Sequence, residues 1–215
     1  MGYKMKKDEI KKIYNTKFIR LYEYNFSDGK QYFWASRRNQ DRLVASMGDE
    51  DFKKMLADAV SCFVVLNIKG QPKRLLLNWE YRYPVGQYML SVPAGVIDPE
   101  DYESPYALED TAIRELKEET GIQVGPTDTV SVINPAVFST PGMTDESNAL
   151  VYISINRDQM PAMSQSLAEG TEHFEGFRLV TREEAEQFLV KGRDDHGNYY
   201  PLFTWAALMF FLGIK

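Results

Sequence analysis

The sequence predicts an α/β or α+β fold, with strands and about three helices layered as a sandwich around one core. Three observations carry that reading. Strand-forming runs recur between Gly- and Pro-containing breaks, as at 61–68 (SCFVVLNI) and 148–155 (NALVYISI). Leu108, Ala112 and Leu116 recur every fourth residue, the apolar stripe of an amphipathic helix. Of the 215 residues, 44% are hydrophobic and 26% charged, which permits a sizeable core and one large domain, or one domain with an N-terminal module.

The elements follow in order. Residues 17–25 and 30–37 are aromatic-rich, and Ser27-Asp28-Gly29 between them predicts a β-hairpin. Residues 49–59 read as a short helix or an ordered connection, and strands are expected at 61–68, 74–81 and 88–92. Ser104-Pro105 predicts a helix start, with Ser104 as the N-cap and Pro105 at the first helical position. Gly121 suits the left-handed cap at that helix's end. Strands at 129–137 and 148–155 come next, and Thr181-x-x-Glu184 is a capping box that opens a helix to about Lys191. Residues 202–212 predict a last, very apolar helix.

Composition excludes several kinds of chemistry. The net charge is −6 and no run of five or six basic residues occurs, so nucleic acid is not the expected partner. An acidic chain can still take a phosphorylated substrate if cations supply the positive charge. Cys62, the single cysteine, lies in an apolar run and reads as core filler. His173 and His196, the two histidines, leave no Cys/His metal cluster and little for a Ser-His-Asp triad. The chemistry must rest on the 31 carboxylates. The lysine-rich N-terminus lacks the apolar stretch of a signal peptide, and Trp205–Leu212 is too short to span a bilayer. A cytoplasmic protein with no membrane partner is the expectation.

The informative segment runs from Arg114 to Ile122 (RELKEETGI). Glu115, Glu118 and Glu119 stand at i, i+3 and i+4, so on a helix they share a face and repel one another. Spacing alone favours a solvated acidic face, with Arg114 and Lys117 as ion-pair partners. The other reading is a hard-cation site, because Mg²⁺ takes oxygen ligands and is held by carboxylates together with substrate phosphates. Context favours the second. The segment resembles the second half of the Nudix box, G-x5-E-x7-R-E-U-x-E-E-x-G-U with U aliphatic, at every specified position, and Gly95 supplies the opening glycine. One departure stands out: Arg114 follows Gly95 by nineteen positions, against fourteen in the pattern. A five-residue insertion accounts for it and leaves the first box glutamate as Asp101, Glu103 or none.

Resemblance to the ADP-ribose pyrophosphatase branch of the Nudix hydrolases extends further. Glu80-Tyr81-Arg82 looks like the branch's Q-[FY]-R segment, with Glu80 for Gln. Ser91-Val92-Pro93-Ala94-Gly95 looks like E-[LF]-P-A-G, and Ser139–Glu146 looks like the S-P-G-x-T-x-E loop. Lys30–Arg38 resembles an N-terminal strand carrying a base-stacking tryptophan, here Trp34.

The resemblance implies a Nudix α/β/α sandwich with a mixed sheet over 49–215, preceded by a β-module over 1–48 that exchanges across a homodimer. It implies Mg²⁺ (or Mn²⁺) held by the Ala94 carbonyl, Glu115 and Glu119, with Glu118 joining directly or through water and Arg114 orienting the carboxylates. Arg82 and Glu80 are expected at the substrate, and Trp34 at its nucleobase. Glu146 is the expected general base, with Asp145 and Glu172 as competitors. The implied reaction is hydrolysis of a nucleoside-diphosphate sugar, ADP-ribose foremost. GDP-mannose, a UDP-sugar, or a non-catalytic ligand-sensing role are the alternatives. For Arg82 the competing reading is an ion pair with Glu80, for Trp34 ordinary hairpin packing, and for Glu146 a solvated loop charge.

Overall fold

The structure, a computed structural model, describes residues 5–167 and 171–214. The chain divides into two compact units, one formed by 1–58 with 136–148 and the other by 59–135 with 149–215.

The first unit holds an antiparallel sheet of β1 (Ile10–Asn15), β2 (Arg20–Asn25) and β3 (Gln31–Ser36), in that order. The expected hairpin is β2–β3: Asn25 pairs with Gln31, and Gly29 takes the positive φ of 85° that its turn requires. β1 has no counterpart in the sequence reading. It buries only Ile10 and carries Lys11 and Lys12, which suits an exposed edge but hides the alternation that marks a strand. Tyr22, Tyr24, Trp34, Ile10 and Leu43 form this unit's core. A helix, α1 (Asp49–Lys54), follows. Residues 136–148 join the unit through buried charge. Arg38 lies 2.9 Å from Asp58 and donates to the Asp145 carbonyl, while Asp58 accepts from both the amide and the hydroxyl of Ser147.

The second unit is built on a seven-stranded sheet. Its strands are β4 (Ala59–Ile68), β5 (Arg74–Arg82), β6 (Gln87–Ser91), β7 (Ala94–Val96), β8 (Thr129–Phe138), β9 (Ser147–Arg157) and β10 (Phe174–Val180). The order is β10-β5-β4-β9-β8, with β6 on β5 and β7 on β4. Three helices complete it: α2 (Ala107–Thr120), α3 (Arg182–Lys191) and α4 (Leu202–Gly213). Side chains alternate across a strand. Leu75, Leu77 and Trp79 of β5, with Phe63 and Val65 of β4, pack with Phe188, Leu208 and Phe211 from α3 and α4. The other parity of β5 carries Leu76, Asn78 and Glu80. Val64 pairs with Leu76, so these residues share a face with Cys62, whose sulfur is 3.8 Å from the Ala112 carbonyl of α2. Cys62 is fully buried, as a core filler should be.

The capping expectations divide. Gly121 takes φ 74° and its amide caps the Lys117 carbonyl, and Thr181 with Glu184 forms the reciprocal capping box of α3. Ser104 is not the N-cap of α2. The helix starts at Ala107, with Tyr106 as a cap lacking a side-chain bond. Ser104 instead accepts from the Tyr106 amide and donates to Asp110, closing a turn ahead of the helix. Among the described residues no helix is long and apolar enough to cross a membrane.

Candidate active site

Helix α2 brings the carboxylates together as the i, i+3, i+4 spacing requires. Glu115 and Glu119 are buried at 6% and 2% exposure, while Glu118 is partly exposed. Arg114 holds two of them from one guanidinium nitrogen, 2.7 Å from Glu115 and 3.2 Å from Glu118. Its second nitrogen reaches the Val96 carbonyl at 3.1 Å and Asp98 at 3.2 Å. That nitrogen also reaches Asp101 at 3.3 Å. The box arginine thus ties α2 to the loop before it.

The loop's backbone supports the other carboxylates. The Ala94 amide donates to Glu119 Oε1 at 3.0 Å. Glu115 packs directly on Gly95, leaving no room for a side chain there. From β5, the Asn78 side chain donates to Glu119 Oε2. Among the described residues no three His, Cys, Asp or Glu side chains are gathered on one ligand point.

Of the candidates for the first box carboxylate, Asp101 is the one in contact with Arg114. It accepts from the Thr111 hydroxyl at 3.0 Å, from the Asp98 amide at 3.2 Å and from Arg114. Burial acts to raise its pKa, but those bonds outweigh it and hold the carboxyl below the ordinary range. Glu103 is exposed.

Burial dominates the rest of the cluster. It pushes Glu115 up to about 7 against the pull of Arg114, and pushes Glu119 well above the usual carboxylate range. Glu80 is likewise raised to about 7 by burial, although Arg82 is ion-paired to it. The negative charge of Glu172 acts on Glu80, Glu115 and Glu119 alike. Strand pairing explains its position: Phe174 of β10 lies opposite Glu80, and the His173 carbonyl accepts from the Tyr81 amide.

The remaining expected residues lie as follows. Arg82 is partly exposed and paired with Glu80, the alternative partner foreseen for it. Trp34 is 7% exposed and stacks on Tyr22 with ring centroids 5.7 Å apart, inside the first unit's core. Glu146, also in the first unit, is ion-paired with Arg37 at 2.6 Å. His196 stacks on Trp79, and His173 sits beside Tyr83. The sequence reading missed Asn78 entirely. A polar residue inside the apolar run Leu75-Leu76-Leu77 was the available signal, since asparagine is depleted in strands.

A loop opened by glycine is thus followed by a helix whose Arg114, Glu115 and Glu119 contact that loop. The chain belongs to the Nudix family: residues 55–203 match the NUDIX domain. The α/β sandwich with its mixed sheet is that family's fold. Among curated relatives, ADP-sugar pyrophosphatase of Mus musculus is 40% identical over 102 residues, which is 47% of this chain and 43% of that protein. ADP-ribose pyrophosphatase of Saccharomyces cerevisiae is 29% identical over 151 residues, 68% of this chain and 57% of that one. A solved ADP compounds hydrolase shares the fold at a TM-score of 0.57 and 16% identity, covering 93% of this chain and 88% of its own.

Proposed function

We propose that this Nudix hydrolase cleaves the diphosphate of a nucleoside-diphosphate sugar, with ADP-ribose giving AMP and ribose 5-phosphate. The supporting observation is the placing of Glu115 and Glu119 of α2 against the glycine-opened loop, with Glu115 packed on Gly95 and Glu119 accepting from the Ala94 amide. An all-oxygen donor set of this kind fits Mg²⁺ or Mn²⁺. The Ala94 carbonyl, Glu115 and Glu119 would hold the ion, with Glu118 direct or through water. When bound, the cation neutralises the diphosphate and lowers the pKa of an attached water.

The protein's own side chains supply the remaining steps. Arg114 holds Glu115 and Glu118 in register. Arg82 exchanges its bond to Glu80 for phosphate oxygens, which match its planar fork. Water attacks one phosphorus, the bridging P–O bond breaks, and a carboxylate outside α2 takes the proton. The sequence names Glu146 for this last role. Glu172 is the competitor, its negative charge acting on Glu115 and Glu119.

The module over 1–48 is proposed to exchange across a homodimer. Tyr14, Leu21 and Phe33, all exposed on its sheet, favour a covered face. The core packing of Trp34 favours a structural role for that side chain rather than base stacking. A panel of ADP-ribose, GDP-mannose and UDP-sugars with Mg²⁺, read by phosphatase-coupled phosphate release, tests the substrate. No turnover of any of them would support ligand sensing instead. Sedimentation as a monomer with full activity would overturn the exchanged dimer.

A further inference from the structure

Asn78 sits at the centre of β5 with no exposed surface. Its strand alternation turns it away from the core formed by Leu75, Leu77 and Trp79 and toward α2. There its Nδ2 donates to Glu119 Oε2, while the Ala94 amide holds Glu119 Oε1. The Asn78 Oδ1 is buried with no hydrogen-bond partner. Ser91, its cross-strand neighbour, points its hydroxyl to the Met89 carbonyl of its own strand. A buried polar atom without a partner is a net cost to folding. A leucine would remove the orphaned Oδ1 but strand Glu119 Oε2, so the asparagine is tied to the carboxylate it serves.

We propose that Asn78 is the positioning residue for Glu119, fixing that carboxylate from the sheet side so that its remaining lone pairs face the divalent cation. The proposal rests on the reading of α2 as a cation-binding helix. A carboxylate has about four acceptor sites. One donor on each oxygen therefore locks the rotamer and still leaves a site for a metal. Without Asn78, Glu119 keeps the Ala94 amide as its hydrogen-bond donor among the described residues and can rotate about its terminal torsion.

The test uses the full chain with Mn²⁺ alone as the probe. Asn78→Leu should weaken Mn²⁺ binding, measured by calorimetry, by roughly 10- to 100-fold. It should also raise the Mg²⁺ concentration for half-maximal hydrolysis more than it lowers kcat at saturating Mg²⁺. Circular dichroism should show it folded, so that the loss is read on the native fold, and Ser91→Ala should leave Mn²⁺ affinity unchanged. In the unaltered chain, sub-stoichiometric Mn²⁺ should broaden the Asn78 side-chain amide signal, assigned by its loss in Asn78→Asp. Unchanged Mn²⁺ affinity in Asn78→Leu, or an amide signal that Mn²⁺ leaves sharp, would overturn the proposal. If the unaltered chain binds no Mn²⁺ at all, the cation reading of α2 fails, and this proposal with it.

Discussion

Gly95 lies so close to Glu115 that a Cβ on the glycine would sit 1.9 Å from the glutamate's Cδ. The glycine of the box is therefore fixed by the carboxylate it faces. Gly95→Ala should push the flexible end of Glu115 out of its site at little cost to the fold. Activity should fall on the order of 100-fold or more, the scale of a misplaced catalytic group. Circular dichroism should remain unchanged; near-normal kcat would mean Glu115 works equally well displaced.

Glu119→Gln should abolish hydrolysis and leave the protein folded. Burial already drives Glu119 toward its neutral form, which glutamine imitates, so stability in EDTA should hold or increase. A markedly lowered thermal midpoint with preserved activity would make Glu119 structural.

Glu80 and Glu115 give the metal-free protein an unusual pH dependence. Both are raised from 4.5 to about 7 by burial, so the folded state keeps protons that the unfolded chain releases. Stability from this source is complete below the unfolded pKa and is lost as pH rises through the folded one. The midpoint in EDTA should fall between about pH 5 and pH 8. Glu80→Gln should recover part of the loss at the upper end, at most ~3 kcal/mol. A midpoint that stays flat over that range would show that these groups ionise freely in the fold.

Arg38→Ala should cost about 3–5 kcal/mol, because it strands the buried Asp58 carboxylate. Replacing Arg38 with Met and Asp58 with Leu together should cost less than the sum of the single changes. Additive losses in denaturant titrations would show that the two charges do not act as a pair.

Glu146→Gln should lower kcat by about 10² to 10⁴ with little change in KM, the loss typical of a general base. Glu172→Gln should reduce kcat far less. The reverse ranking would move the role to Glu172.

The sequence by itself determined the family, the acidic face of α2, and the ends of its helices at Gly121 and Thr181. Those features depend on residues three or four apart, whose geometry one helical turn fixes. Even within that range it erred at Ser104, because the inserted turn at 101–103 competes for the same cap. Only the tertiary structure decided that Asn78 meets Glu119, that Glu172 lies within electrostatic reach of α2, and that Asp101 rather than Glu103 meets Arg114. The first two depend on strand pairing, in which one-residue slips exchange the two faces of a strand. Register is set by burying Leu75, Leu77 and Trp79 against α3 and α4, far along the chain. No local pattern around Asn78 or Glu172 carries that information.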